Sequence, residues 1–206
     1  MKKIKLLLIL FISVITLLLN VSCTQVIIGG AASGGIILVQ ERTPEQAAKD
    51  ILIKTRLEEA FFSTNYDDIF SKIKVIVFEG KVLLVGTVKS NDSKEIANSL
   101  AWKISNVDEV ANYIIVGKEN VIDYLKDTRI SLEFKAKLLT DRDISEVNYS
   151  STTENRVLYV IGVSQNEEEL EKVLSHGSSI AGVKKIVNLV IDKNSPKRKK
   201  YLNEKN

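Results

Sequence analysis

One cysteine and one histidine in 206 residues exclude several kinds of chemistry at once. A lone cysteine cannot form an intrachain disulfide, and a soft-metal centre lacks the second imidazole or thiolate that would complete it. The histidine, His176, sits next to Gly177 at the expected end of a helix, where a surface or capping role fits better than catalysis. No nucleophile-elbow pattern occurs among the many serines and threonines. Gly29, Gly30, Gly34 and Gly35 do not make a phosphate loop, because no Gly-Lys-Ser/Thr follows them and no clear strand precedes them. Asp67 with Asp68 lacks calcium-ligand spacing, while Glu167, Glu168 and Glu169 read as the charged first turn of a helix. No catalytic residue, no metal and no cofactor is implied.

The chain does have an unmistakable start. Lys2, Lys3 and Lys5 precede an apolar run that ends at Val21, Ser22 and Cys23. The run is shorter than the ~20 residues of a comfortable membrane span and has no basic flank behind it. Cleavage before Cys23, followed by lipidation of its thiol and new amino terminus, is the expected processing. The alternative is an ordinary transmembrane anchor with a buried cysteine. Lipidation removes the thiolate from chemistry, and each buried CH2 of the acyl chains adds about 0.8 kcal/mol of membrane affinity. Thr24 follows the cysteine where aspartate would retain a bacterial lipoprotein in the inner membrane, so the outer membrane is expected.

Loss of residues 1–22 removes three lysines and no acid, which takes 29 Lys and Arg down to 26 against 26 Asp and Glu. The mature chain is formally neutral, but unevenly so. Lys193, Lys197, Arg198, Lys199, Lys200 and Lys205 face only Glu204 in the last fourteen residues. That basic end is either a solvated tail or a contact for acidic headgroups. Export excludes nucleic acid as a partner.

Between anchor and tail the chain repeats itself. A shift of 76 sets Gly86 on Gly162, Val107 on Val183, Asn112 on Asn188 and Ile114 on Val190, and a shift of 81 sets Ile53 and Leu57 on Phe134 and Leu138. The change of shift requires the spacing between the first helix and the hairpin to differ between the two halves. Each half reads as helix, hairpin, helix, strand. The first has a helix from Pro44 to about Phe62, strands IKVIVF and VLLVGTV around a turn at Gly80, a helix capped by Asn91 or Asp92, and a strand over 110–116. The second has helices at 126–140 and 166–177, with strands near 146–152, 157–163 and 184–191. Strands that are apolar at every position predict burial on both faces, with each sheet covering the other. Phe78, at the hairpin edge, is the expected inter-domain residue, and Trp102 is expected in the core or at that interface.

The phrases GKVLLVGTV at 80–88, ANSLAWKISNVDEVANYI at 97–114, DTRISLEFKAKLLT at 127–140 and IAGVKKIVNLVI at 180–191 resemble the dual-BON-domain outer-membrane lipoproteins of Gram-negative bacteria. The resemblance implies an α+β fold of tandem BON domains, each with two helices on a three-stranded mixed sheet. The expected organisation is a signal peptide at 1–22, a lipidated Gly-rich tether at 23–44, BON domains at 45–118 and 119–192, and a basic tail at 193–206. It also implies a non-enzymatic protein, lipid-anchored in the outer membrane and facing the periplasm, that supports envelope integrity and binds anionic phospholipid through its second domain. Association with the outer-membrane protein assembly machinery or with division sites is implied as well. Where this family's lipid-binding helix can place an aromatic that enters the bilayer, this chain has Arg129.

The residues themselves point to the same helix. In 126–140, Ile130, Phe134 and Leu138 share one face, while Leu132, Ala136 and Leu139 form a second apolar stripe bordered by Arg129 and Lys135. An apolar strip edged by cations suits an interfacial membrane contact. A helix buried on two sides would show the same pattern.

Overall fold

The computed structural model describes residues 40–118 and 121–198, which belong to one compact unit. The leader, Cys23 and most of the tether lie outside them. No helix among the described residues is long and apolar enough to cross a membrane.

The first module runs α1 (Pro44–Thr64), a π-helical turn (Tyr66–Phe70), β1 (Ile73–Phe78), β2 (Lys81–Val88), α2 (Asn91–Lys103) and β3 (Glu109–Val116). The second repeats it with α3 (Val121–Thr140), a short 3-10 turn (Glu146–Asn148), β4 (Tyr149–Glu154), β5 (Val157–Ser164), α4 (Glu167–Ser178) and β6 (Lys185–Asp192). In each sheet the middle strand pairs antiparallel with its hairpin partner and parallel with the strand that follows the helix.

Local chemistry explains the boundaries. Thr43 caps α1 with its side chain on the Gln46 N–H, Gln46 reciprocates on the Thr43 N–H, and Pro44 opens the first turn. Ser90, not Asn91 or Asp92, caps α2 by accepting from the Ser93 N–H. The hairpin turns are two residues long with left-handed backbone: Glu79 and Gly80 at φ 47° and 74°, Asn155 and Arg156 at 50° and 65°. A buried aspartate from the preceding helix fixes each turn. Asp50 accepts from the N–H of Glu79 (2.8 Å) and Gly80 (2.9 Å), and Asp127 accepts from those of Asn155 and Arg156 (both 2.7 Å). These charge-assisted bonds hold non-glycine residues where backbone sterics disfavour them.

The two aspartates also correct the alignment of the repeat. Asp50, Ile53, Leu57 and Phe61 are the buried residues of α1, and Asp127, Ile130, Phe134 and Leu138 those of α3. The helices correspond at a shift of 77, one turn away from the expected 81, because Ile130 and not Phe134 occupies the place of Ile53. No extra residues intervene: eight separate helix from hairpin in both modules. The helix expected at 126 starts at Val121, and the strand expected near 146 starts at Tyr149.

Gly86 and Gly162 recur for a reason of space. A Cβ on either would lie 2.1 Å from a backbone oxygen, that of Lys72 or Asn148. Asn112 and Asn188 recur for another: their side chains accept from the N–H of Ile114 (3.0 Å) and Val190 (2.9 Å). One N–H on each outer strand is thus satisfied by a side chain, which blunts that edge toward a further strand.

The core has three layers of contact. Ile53, Leu57, Phe61, Val82 and Leu84 pack within the first module, and Ile130, Phe134, Leu138, Leu158 and Val160 within the second. The alternate residues of the central strands, Leu83 and Val85 against Tyr159, Ile161 and Val163, join the sheets face to face, with Tyr113 and Tyr159 at 5.1 Å between ring centroids. Each central strand is therefore apolar throughout because its two faces serve two cores.

Candidate membrane-contact face

The α3 helix has two apolar faces, and only one of them is covered. Ile130, Phe134 and Leu138 point inward and are buried, whereas Leu132 and Leu139 are 65% and 59% exposed and Ala136 is exposed beside them. The earlier start of the helix extends this face by Val121 and Leu125, 74% and 63% exposed. At 100° per residue the five side chains fall within roughly 60° of arc. A sequence reading that begins the helix at Lys126 misses the first two.

Arg129 and Lys135 border the stripe, and both have partners. The Arg129 guanidinium reaches Glu133 at 2.9 Å and donates to the Ala181 carbonyl, and the Lys135 ammonium lies 4.0 Å from Glu146. Their charge is partly offset by the protein's own acids. On α1 the equivalent positions are Pro44, Ala48, Thr55, Glu59 and Phe62, which make no continuous apolar surface. The first module instead exposes Ile51 and Leu52 on that helix and an aromatic trio at its end, where Phe62 meets Tyr66 and Phe70 edge-on and the last two stack at 5.6 Å.

Phe78 is 4% exposed and lies in the inter-module cluster with Tyr159 and Ile161, while the Arg42 guanidinium sits 4.7 Å from its ring centroid. Trp102, expected inside, is half exposed near the end of α2. His176 bonds Asp141 at 2.7 Å, and that contact holds the Asp141 carboxyl below its ordinary range.

The start of the basic end is not a solvated tail. Arg198 is 5% exposed and forks onto the Glu79 carboxylate at 2.7–3.2 Å, and it also donates to the Glu41 carbonyl. Lys197 reaches Glu109 at 3.4 Å, and Lys193 bonds Gln165 at 2.6 Å. Three of the six cations there are engaged in intramolecular contacts, two of them on acids of the first module; Lys199, Lys200 and Lys205 lie outside the described residues. Periodicity could not reveal this strap, because the acids that hold Lys197 and Arg198 lie more than eighty residues away.

Two αββαβ modules closed sheet to sheet, the second with one apolar face of its first helix exposed, define a tandem α+β repeat protein. The model of the BON domain matches residues 50–118 and 126–191, and the chain belongs to the BON-domain family. It is 40% identical over 133 residues to an uncharacterised protein in the gshII 5' region of Anaplasma centrale, covering 64% of this chain and 88% of that one. It is 25% identical over 166 residues to the outer membrane lipoprotein DolP of Haemophilus influenzae, covering 80% and 86%. Among solved structures, the C-terminal domain of CdsD, a structural protein of the Chlamydia trachomatis type III secretion system, overlaps 68% of this chain at 15% identity and a TM-score of 0.28. The chain spans just under two thirds (65%) of that one.

Proposed function

We propose that this chain is an envelope lipoprotein, anchored through Cys23 in the outer membrane and facing the periplasm, that binds anionic phospholipid without catalysis through the outward face of α3. The observation that carries the reading is the exposed row of Val121, Leu125, Leu132, Ala136 and Leu139, interrupted at Thr128, on a helix whose opposite face buries Ile130, Phe134 and Leu138. Four large apolar side chains exposed on one helical face have an aqueous cost that insertion at the headgroup boundary removes. The similarity to an outer membrane lipoprotein and the leader with its cysteine support the location. Flotation with vesicles of phosphatidylcholine, with and without phosphatidylglycerol, tests it. Binding should rise with the anionic lipid, fall with salt and be lost in Leu132→Glu. A variant that is folded and floats as wild type would defeat the proposal.

One feature favours a second reading, a scaffold that docks α3 on a protein of the envelope assembly machinery. Leu125, Leu132 and Leu139 are seven residues apart, the repeat by which helices pack on helices. No vesicle binding at any lipid composition would favour that role.

A further inference from the structure

We propose that a corner of the first module is a site for the phosphate of an anionic lipid headgroup, an inference that rests on the membrane reading above. The parallel ladder of β2 and β3 ends with the Gly117 N–H on the Val88 carbonyl at 2.9 Å. The next residue on each strand is a lysine, so Lys89 and Lys118 leave the sheet side by side. With Lys72 they line an open cleft of about 770 Å3 whose apolar wall is Val121 and Tyr124, at the start of the exposed stripe of α3. Asp68, an acid that lines this corner, is spent on structure: it accepts from the Lys89 N–H (2.9 Å) and the Ser93 hydroxyl (2.5 Å). Neither the Lys89 nor the Lys118 side chain makes an ion pair among the described residues, and like charges that line one cleft favour an anion within it.

The second module shows what the corner accepts. At the shift of 76 its equivalents of Lys72, Lys89 and Lys118 are Asn148, Gln165 and Asn194, and the ladder again ends with a backbone bond, the Lys193 N–H on Ser164 at 2.9 Å. That corner holds an anionic side chain of the chain itself. Gln165 donates to the Glu41 carboxylate at 2.7 Å, Asn148 accepts from the Glu41 N–H at 2.8 Å, and Lys193 approaches the same carboxylate at 3.9 Å. Lysines in place of Asn, Gln and Asn suit a ligand of higher charge, and a phosphate monoester or diester has both the charge and the acceptors. With α3 against the bilayer, the corner would meet the headgroup layer at the amino end of the apolar stripe.

The test uses residues 24–206 in two arms. In flotation against phosphatidylglycerol-containing vesicles, Lys89→Gln and Lys118→Gln should each weaken binding roughly fivefold, and Lys103→Gln, an exposed lysine of α2, should weaken it less than twofold. In an NMR titration, inorganic phosphate should shift the Lys89 and Lys118 amides if the corner takes free phosphate. Weakened flotation without those shifts restricts it to headgroups at a membrane. Equal effects of all three lysine variants, with no phosphate shifts, would overturn the corner. So would binding that depends on Lys89 only in Glu119→Gln, since the neighbouring acid would then be filling the corner as Glu41 fills its counterpart. Loss of flotation in Leu132→Glu with neutral lysine variants would remove the corner and leave the α3 reading. The opposite pattern would remove the α3 reading and leave the corner.

Discussion

The inner faces of α1 and α3 are near copies, whereas their outer faces diverge at two central positions. Asp50, Ile53, Leu57 and Phe61 have direct counterparts in Asp127, Ile130, Phe134 and Leu138, because each must pin a hairpin turn and fill the same space above a sheet. Outward, Thr55 and Glu59 stand where the second module has Leu132 and Ala136. Packing constrains one side of a repeated helix and leaves the other to function. The support of the loops differs as well. A carboxylate from before the hairpin, Asp68, binds the Lys89 N–H in the first module, whereas Glu169 from the following helix binds the equivalent Gln165 N–H at 2.6 Å in the second. The same backbone donor is satisfied from opposite sides.

The comparison breaks most sharply at the strap after β6, which has no counterpart after β3, where the chain proceeds to α3. Arg198→Ala leaves the buried Glu79 carboxylate without its guanidinium and should cost roughly 3 kcal/mol, read as a lower denaturant midpoint. Replacing both partners, Arg198→Met with Glu79→Gln, should cost distinctly less. Equal losses would mean that the pair is not what holds the strap.

The repeated glycines should respond alike. Gly86→Ala and Gly162→Ala each force a methyl against a backbone oxygen at 2.1 Å, and each should destabilise its module by about 2 kcal/mol or more. A tolerated alanine at one site only would show that the two hairpins pack less alike than their register indicates.

A smaller effect separates the modules by pH. Tyr149 stands where the first module has Ile73, and burial, followed by the nearby Glu169 carboxylate, pushes its phenol well above the ordinary 10.0; burial also raises Tyr159, the counterpart of Leu83. A phenol raised in the folded state contributes stability that is full below pH 10 and lost as the pH climbs through its folded value. Melting followed above pH 10 should therefore weaken the second module first. The Tyr149 oxygen has no hydrogen-bond partner among the described residues, so Tyr149→Phe should reduce the alkaline loss with little cost at neutral pH. An unchanged alkaline profile would remove Tyr149 as the cause.

Much of this was legible in the sequence because it is local or periodic. The hairpin at Gly80, the helix at Pro44 and the doubly apolar strands follow from turn chemistry and the two-faced pattern of Leu83 and Leu84. The stripe of Leu132, Ala136 and Leu139 followed from helical spacing. What escaped depends on contacts distant in sequence. Asp50 and Asp127 look like ordinary helix acids until the hairpin folds back onto them, which is why the helix alignment slipped by one turn. Arg198 looks like a tail cation until Glu79 is brought to it. Trp102 went the other way, since a large apolar residue carries no mark of exposure when its neighbours, Ala101 and Leu100, turn inward.

The most direct test of the asymmetry places the same charge on the equivalent outer positions, Leu132→Glu on α3 and Thr55→Glu on α1, in otherwise complete protein, and measures partition onto phosphatidylglycerol-containing vesicles at low salt. Leu132→Glu should lose roughly tenfold or more in binding, and Thr55→Glu should change it less than twofold, with both variants melting within a few degrees of wild type. Equal losses at the two positions, or none at Leu132, would contradict the assignment of membrane contact to the second module.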